Sequence, residues 1–126
     1  MPSANVTIFL VALSVLAGVH LLALKFFLYW HYIWLDVPMH VLGGAITVIG
    51  VFAFRDLGVP GFASILNSPI LILFFLLAVM VAWETFEVWA GIPMEANYRF
   101  DTTIDIVAGL VGGWVGYAVA SRLKAL

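Results

Sequence analysis

Four apolar stretches, each long enough to cross a bilayer as a helix, leave this chain few folds to choose from. They run over about residues 6–30, 37–54, 69–90 and 102–121, and the first has the option of continuing to residue 34. A helical crossing needs roughly 20 apolar residues. The chain is 126 residues long, 65% hydrophobic and 10% charged, which is more apolar surface than a soluble domain of that size can hide. The expected fold is all-α: a single integral membrane domain covering 1–126, surrounded by lipid.

Local signals punctuate the spans. Pro38 falls in the first turn of the second, where a missing N–H costs little. Gly91 and Pro93 stop the third, and Asp101 is placed to cap the fourth. The linkers, 31–36, 55–68 and 91–101, are short, which makes sequential helices antiparallel neighbours. An antiparallel four-helix bundle follows, with Gly109, Gly112, Gly113 and Gly116 on one helix and Gly43, Gly44 and Ala45 on another allowing close approach. Arg55, Arg122 and Lys124 share a side with the termini, so both termini are expected in the cytoplasm. The leading MPSAN has no basic residue and the run after it exceeds a signal h-region, so a cleaved signal peptide is not expected.

Other classes are disfavoured. With no cysteine there is no disulfide framework and no thiolate metal site. A net charge of −2 without a Lys/Arg cluster argues against nucleic-acid binding.

Alternating helices gather the polar residues at one end. Asp36, Glu84, Glu87, Glu95, Asp101 and Asp105 fall on the non-cytoplasmic side with His31 and His40; Asp56 alone among the acids does not. Asp36/His40 and Asp101/Asp105 are i,i+4 pairs and Glu84/Glu87 an i,i+3 pair, so each shares a helix face. Asp105, Gly109, Gly112 and Gly116 form one stripe, and so do His40, Gly44 and Thr47. If small residues mark helix contacts, Asp105 and His40 point inward, into an outward-opening cavity.

Simpler roles compete for several of these residues. Asp101 and Asp36 suit N-caps. His31 sits in FFLYWHYIW, residues 26–34, an aromatic belt. His20, on the same face as His31 in a continuous helix, suits a hydrogen-bonded packing residue. Lys25 either snorkels or neutralises a buried acid, and Glu95 suits a solvated loop. Glu84, Glu87 and Asp105 resist such readings. A helix C-terminus disfavours carboxylates, and Glu84 lies about 9 Å inside its helix end at 1.5 Å per residue. Ionisable residues at that depth are functional by default.

Three stretches carry a resemblance: DVPMH (36–40), WETFE (83–87) and YRFDTTIDIVAGLVGGWVGY (98–117). The last is similar to the Arg, Asp-pair and glycine-rich ending of VanZ-like membrane proteins, and the first two resemble YjdF-like proteins. The resemblance implies a multi-span protein of a prokaryotic cell membrane, with a link to glycopeptide tolerance for VanZ itself, and no established reaction.

Three functions follow from these residues. One is binding of a polar group, such as a lipid-linked or envelope headgroup, with a divalent metal ion held by His40, Glu84, Glu87 and Asp105 as one means. Glu84 and Asp105 are then the candidates for catalysis by an activated water. Asp36, Asp101, Lys25 and Arg99 complete the polar cavity, Arg99 being suited to orient a phosphate or carboxylate. The second function is a proton- or cation-linked carrier, with a homo-oligomer as one way to complete its path. The third is an assembly protein whose polar pairs fix helix register.

Overall fold

The computed structural model describes residues 1–92 and 98–123, with the backbone alone for 98–100, and every regular element among them is helical. The order is α1 (Ala4–Lys25), α2 (Leu28–His31), a 3-10 turn (Ile33–Leu35), α3 (Asp36–Asp56), α4 (Phe62–Ile65), α5 (Pro69–Ala90) and α6 (Tyr98–Leu123). Four of these helices are long and apolar enough to cross a membrane, which fits a multi-pass membrane protein. Arg99, as a side chain, and Glu95 and Lys124 altogether lie outside the described residues.

The first span departs from expectation. Instead of running on to residue 30 or 34, α1 ends at Lys25, and Phe27 turns left-handed with φ 55°. A side chain with a Cβ is strained there. The consequence is local: Tyr29, on α2, comes within 2.8 Å of His20. In a continuous helix residues nine apart lie on opposite faces, about 13.5 Å apart along the axis. The break also separates His20 from His31, which is exposed and pairs its Nδ1 with the Phe27 carbonyl at 2.8 Å.

Two proposed caps are corrected. Asp36 is the first residue of α3 and Leu35 its N-cap, with no side-chain capping bond. Asp101 lies within the first turn of α6, because that helix starts three residues earlier, at Tyr98. The third span is as expected: Pro69 opens α5, Gly91 ends it with φ 67°, and the Ile92 N–H closes back on the Glu87 carbonyl at 3.0 Å.

The closest helix contact is between α3 and α6, which are not sequential, and α3 also packs along α1. A Cβ built on Gly44 would strike the Gly109 backbone, one on Gly112 the Val41 carbonyl, and one on Gly116 the Ala45 carbonyl. The glycine stripe of α6 therefore lies directly on the α3 main chain. Val41 to Ala45 on α3 faces Gly112 to Gly116 on α6, and His40 to Gly44 faces Asp105 to Gly109, so the two helices run in the same direction. In α5, Met80 and Leu76 pack on Gly109 and Gly113 in the opposite sense. Val48, Ile49, Phe52, Leu76, Met80 and Ala120 form the buried core. Apolar side chains such as Leu10, Val11, Phe74 and Trp114 face outward, as lipid contact requires.

At the end of the helices remote from the acidic group, α1 is tied to α3. Ser3 accepts from the Val6 N–H as the cap of α1 and donates its own hydroxyl to Asp56 at 2.7 Å. Buried Asn5 donates to the same carboxylate at 3.1 Å, and the Arg55 guanidinium pairs with it. Asp56→Ala strands the Asn5 amide and removes the acceptor for three side chains, a loss of about 1–3 kcal/mol. Its thermal midpoint in detergent is expected to drop by several degrees; an unchanged midpoint would show that the tie contributes nothing.

Candidate functional site

His40 stands at the centre of the polar group, and its two ring nitrogens face different partners. On one side, Nδ1 lies 3.1 Å from the main-chain carbonyl of Asp36, one turn back along α3. The Asp36 and Asp105 carboxylates each approach the same nitrogen at 3.4 Å. On the other side, Nε2 lies 3.1 Å from Glu84 Oε1 on α5. Thr102 on α6 donates its hydroxyl to Glu84 Oε2 at 3.2 Å, so the glutamate is held from both α3 and α6.

Helix geometry produces this convergence. Asp36 and His40 are one turn apart on α3, and the α3/α6 glycine contact sets Asp105 beside them. Glu84 is brought in by the packing of Met80, one turn earlier on α5, against Gly109. His40, Glu84 and Asp105 are 6%, 7% and 2% exposed, so the group is nearly dry. Among the described residues, the ion pairs of Asp36, Glu84 and Asp105 all converge on this one imidazole.

The tautomer follows from the carbonyl. A carbonyl oxygen only accepts, so Nδ1 carries a proton in that bond. Nε2 then faces the Glu84 oxygen across 3.1 Å, and two lone pairs at that separation repel unless a positive species lies between them. That species is either a proton or a metal ion. Donor atoms sharing a cation at about 2.0–2.2 Å stand roughly 3 Å apart, which suits this pair. Glu87 adds a third donor atom: His40, Glu84 and Glu87 offer ligand atoms all within 4.8 Å of one another. Asp36, His40 and Asp105 form a second such trio, but there the nitrogen is occupied by its bond to the carbonyl. The carboxylates on that side suit the supporting role of holding the ring and its tautomer. One of them is under-used: Asp105 Oδ1 is buried without a hydrogen bond.

Comparison with family models, with curated proteins and with solved structures finds no match to this chain. The site therefore rests on its own geometry. Of the residues singled out in the sequence, the fold gathers Asp36, His40, Glu84, Glu87 and Asp105. Asp101 sits a turn above Asp105, partly exposed. Lys25 is exposed, with its ammonium 5.6 Å from the Phe26 ring centroid.

Beside the group lies a cavity of about 360 Å³ between α1, α3 and α5. Leu13, Leu16, Ile46, Val79 and Met80 are among its apolar walls. His20, Tyr29, Asp36, His40 and Glu87 line its polar end, where the His20 and Trp83 rings meet at 5.3 Å and bridge α1 to α5. Tyr29 and Thr102 were missed in the sequence. The expected continuity of α1 hid the tyrosine, whereas Thr102 lies three residues from Asp105 on the same face and was open to detection.

Proposed function

We propose that this chain is a membrane protein that binds a divalent cation inside the bilayer, through His40 Nε2, Glu84 and Glu87. The observation that carries this reading is the 3.1 Å approach of Nε2 to a buried glutamate while Nδ1 is bonded to a carbonyl. An imidazole with two carboxylates suits Zn²⁺, Mn²⁺ or Fe²⁺ better than a thiolate-seeking ion. The reading includes the antiparallel four-helix arrangement, both termini in the cytoplasm of a prokaryotic cell, and kinship with the VanZ-like and YjdF-like proteins. The acidic end then opens outward, toward envelope or lipid headgroups. A cation there would serve to polarise an oxygen-bearing ligand.

Purified protein titrated with Mn²⁺ or Zn²⁺ tests the site. The wild type is expected to take up one ion per chain, and Glu84→Gln to weaken binding at least 100-fold while keeping its thermal midpoint in chelator. Uptake should fall with acidity, since the ligands must lose their protons. A wild type that binds no divalent ion, with the Glu84→Gln midpoint unchanged, would leave a proton as the species shared by His40 and Glu84, as the carrier reading requires.

A further inference from the structure

The cavity between α1, α3 and α5 is elongated along the helices and graded from apolar to polar. Its lining on α3 extends from Asp36 to Thr47, about 16 Å at 1.5 Å per residue. Volumes of about 300–1,000 Å³ are usual for small-molecule sites.

The gradient has a direction. Leu13, Ile46 and Val79 line the end remote from the acidic group. His20 on α1, Asp36 and His40 on α3 and Glu87 on α5 line the other. All three helices turn their polar residues to the same end, because α1 and α5 run opposite to α3. Along the cavity α1 and α5 have no extended contact with each other, both resting on their neighbours. A chain lying in lipid would meet the crevice between them from the side.

Head chemistry is set by charge. Two carboxylates, from Glu84 and Glu87, match the charge of a divalent ion, and Asp36 and Asp105 on the far side of His40 add negative charge. A further anion is repelled there, whereas an uncharged hydroxyl or ester oxygen can enter. Glu87 and His40 belong to both the ion's ligand trio and the cavity lining, so the ion is within reach of such a head. Three protein ligands leave a coordination position for it.

We infer that this cavity binds a single-chain lipid with an uncharged oxygen head, its chain between α1 and α5 and its head at the His40/Glu87 end. The chain part stands on the length, volume and apolar lining of the cavity; the head part rests on the cation reading given above.

Gly43 supplies the test. It lines the cavity, and a Cβ built on it meets nothing within 4 Å, so a large side chain there has open space to fill. Ala17 lines the same cavity from α1. Radiolabelled 1-monomyristoylglycerol is titrated into the full chain in detergent with Mn²⁺ present. The wild type should bind one molecule saturably, Gly43→Phe and Ala17→Phe should weaken binding at least tenfold, and Mn²⁺ uptake by both should match the wild type. Binding by both variants equal to the wild type overturns the proposal, whichever way the Mn²⁺ measurement falls. A wild type without Mn²⁺ uptake but with lipid binding lost in Gly43→Phe supports the chain site and rejects the cation reading. Tighter binding of myristoyl lysophosphatidic acid than of the monoacylglycerol overturns the uncharged head.

Discussion

Gly112→Ala is expected to drive α6 away from α3 and leave little folded protein in detergent. The added Cβ falls on the Val41 carbonyl, which is main chain inside a regular helix and can yield only if the whole helix moves. Overpacking usually costs about 1–3 kcal/mol, and a backbone collision belongs at the top of that range or above it. Other glycines give the comparison. At Gly113 the new carbon meets the ends of the Leu76 and Val48 side chains, which can rotate, so a smaller loss follows. At Gly43 it meets nothing, so Gly43→Ala should be close to neutral. Thermal midpoints and size-exclusion profiles are expected to rank the three as Gly112, Gly113, Gly43, most to least damaging. A Gly112→Ala protein as stable as Gly43→Ala would refute close backbone packing as the basis of the α3/α6 contact.

His40→Leu should be nearly as damaging, for an electrostatic reason. The imidazole is shared by Asp36, Glu84 and Asp105, and Glu84 and Asp105 are almost fully buried. Removing one partner from a buried pair typically costs about 3–5 kcal/mol, because the remaining charge has neither water nor a partner. Neutralising the acids should undo part of this: His40→Leu combined with Glu84→Gln and Asp105→Asn is expected to recover most of the lost midpoint, although it binds no cation. If the triple variant is no more stable than the single one, charge is not what makes His40 necessary. Glu84→Gln by itself keeps its shape and an oxygen for Thr102, so it should fold. The two substitutions therefore separate folding from cation binding.

Much of the helical layout was legible in the sequence. Pro69 and Gly91 mark the bounds of α5 because a proline opening and a glycine stop act locally. The inward direction of Asp105 was also legible, because it shares a stripe with glycines whose only use at that spacing is close approach; it is 2% exposed. The break at Phe27 was not, since FFLYWHYIW is uniformly apolar and aromatic and has no glycine or proline to mark a turn. That hid the approach of Tyr29 to His20. The tie from Ser3 and Asn5 to Asp56 was hidden too, because it joins residues more than fifty apart.

By itself, the sequence determined the number and length of the apolar helices and which residues share a face, because hydropathy and helical periodicity are properties of neighbouring residues. Tertiary structure alone decided that α3 and α6, though not consecutive, make the closest contact. Glycines let two backbones touch, but only packing chooses which two. It also decided that one imidazole would take a main-chain carbonyl on one nitrogen and a buried glutamate on the other. That arrangement joins residues 36, 40, 84 and 105, and no local rule of sequence brings residues that far apart to within 3.4 Å of a single ring.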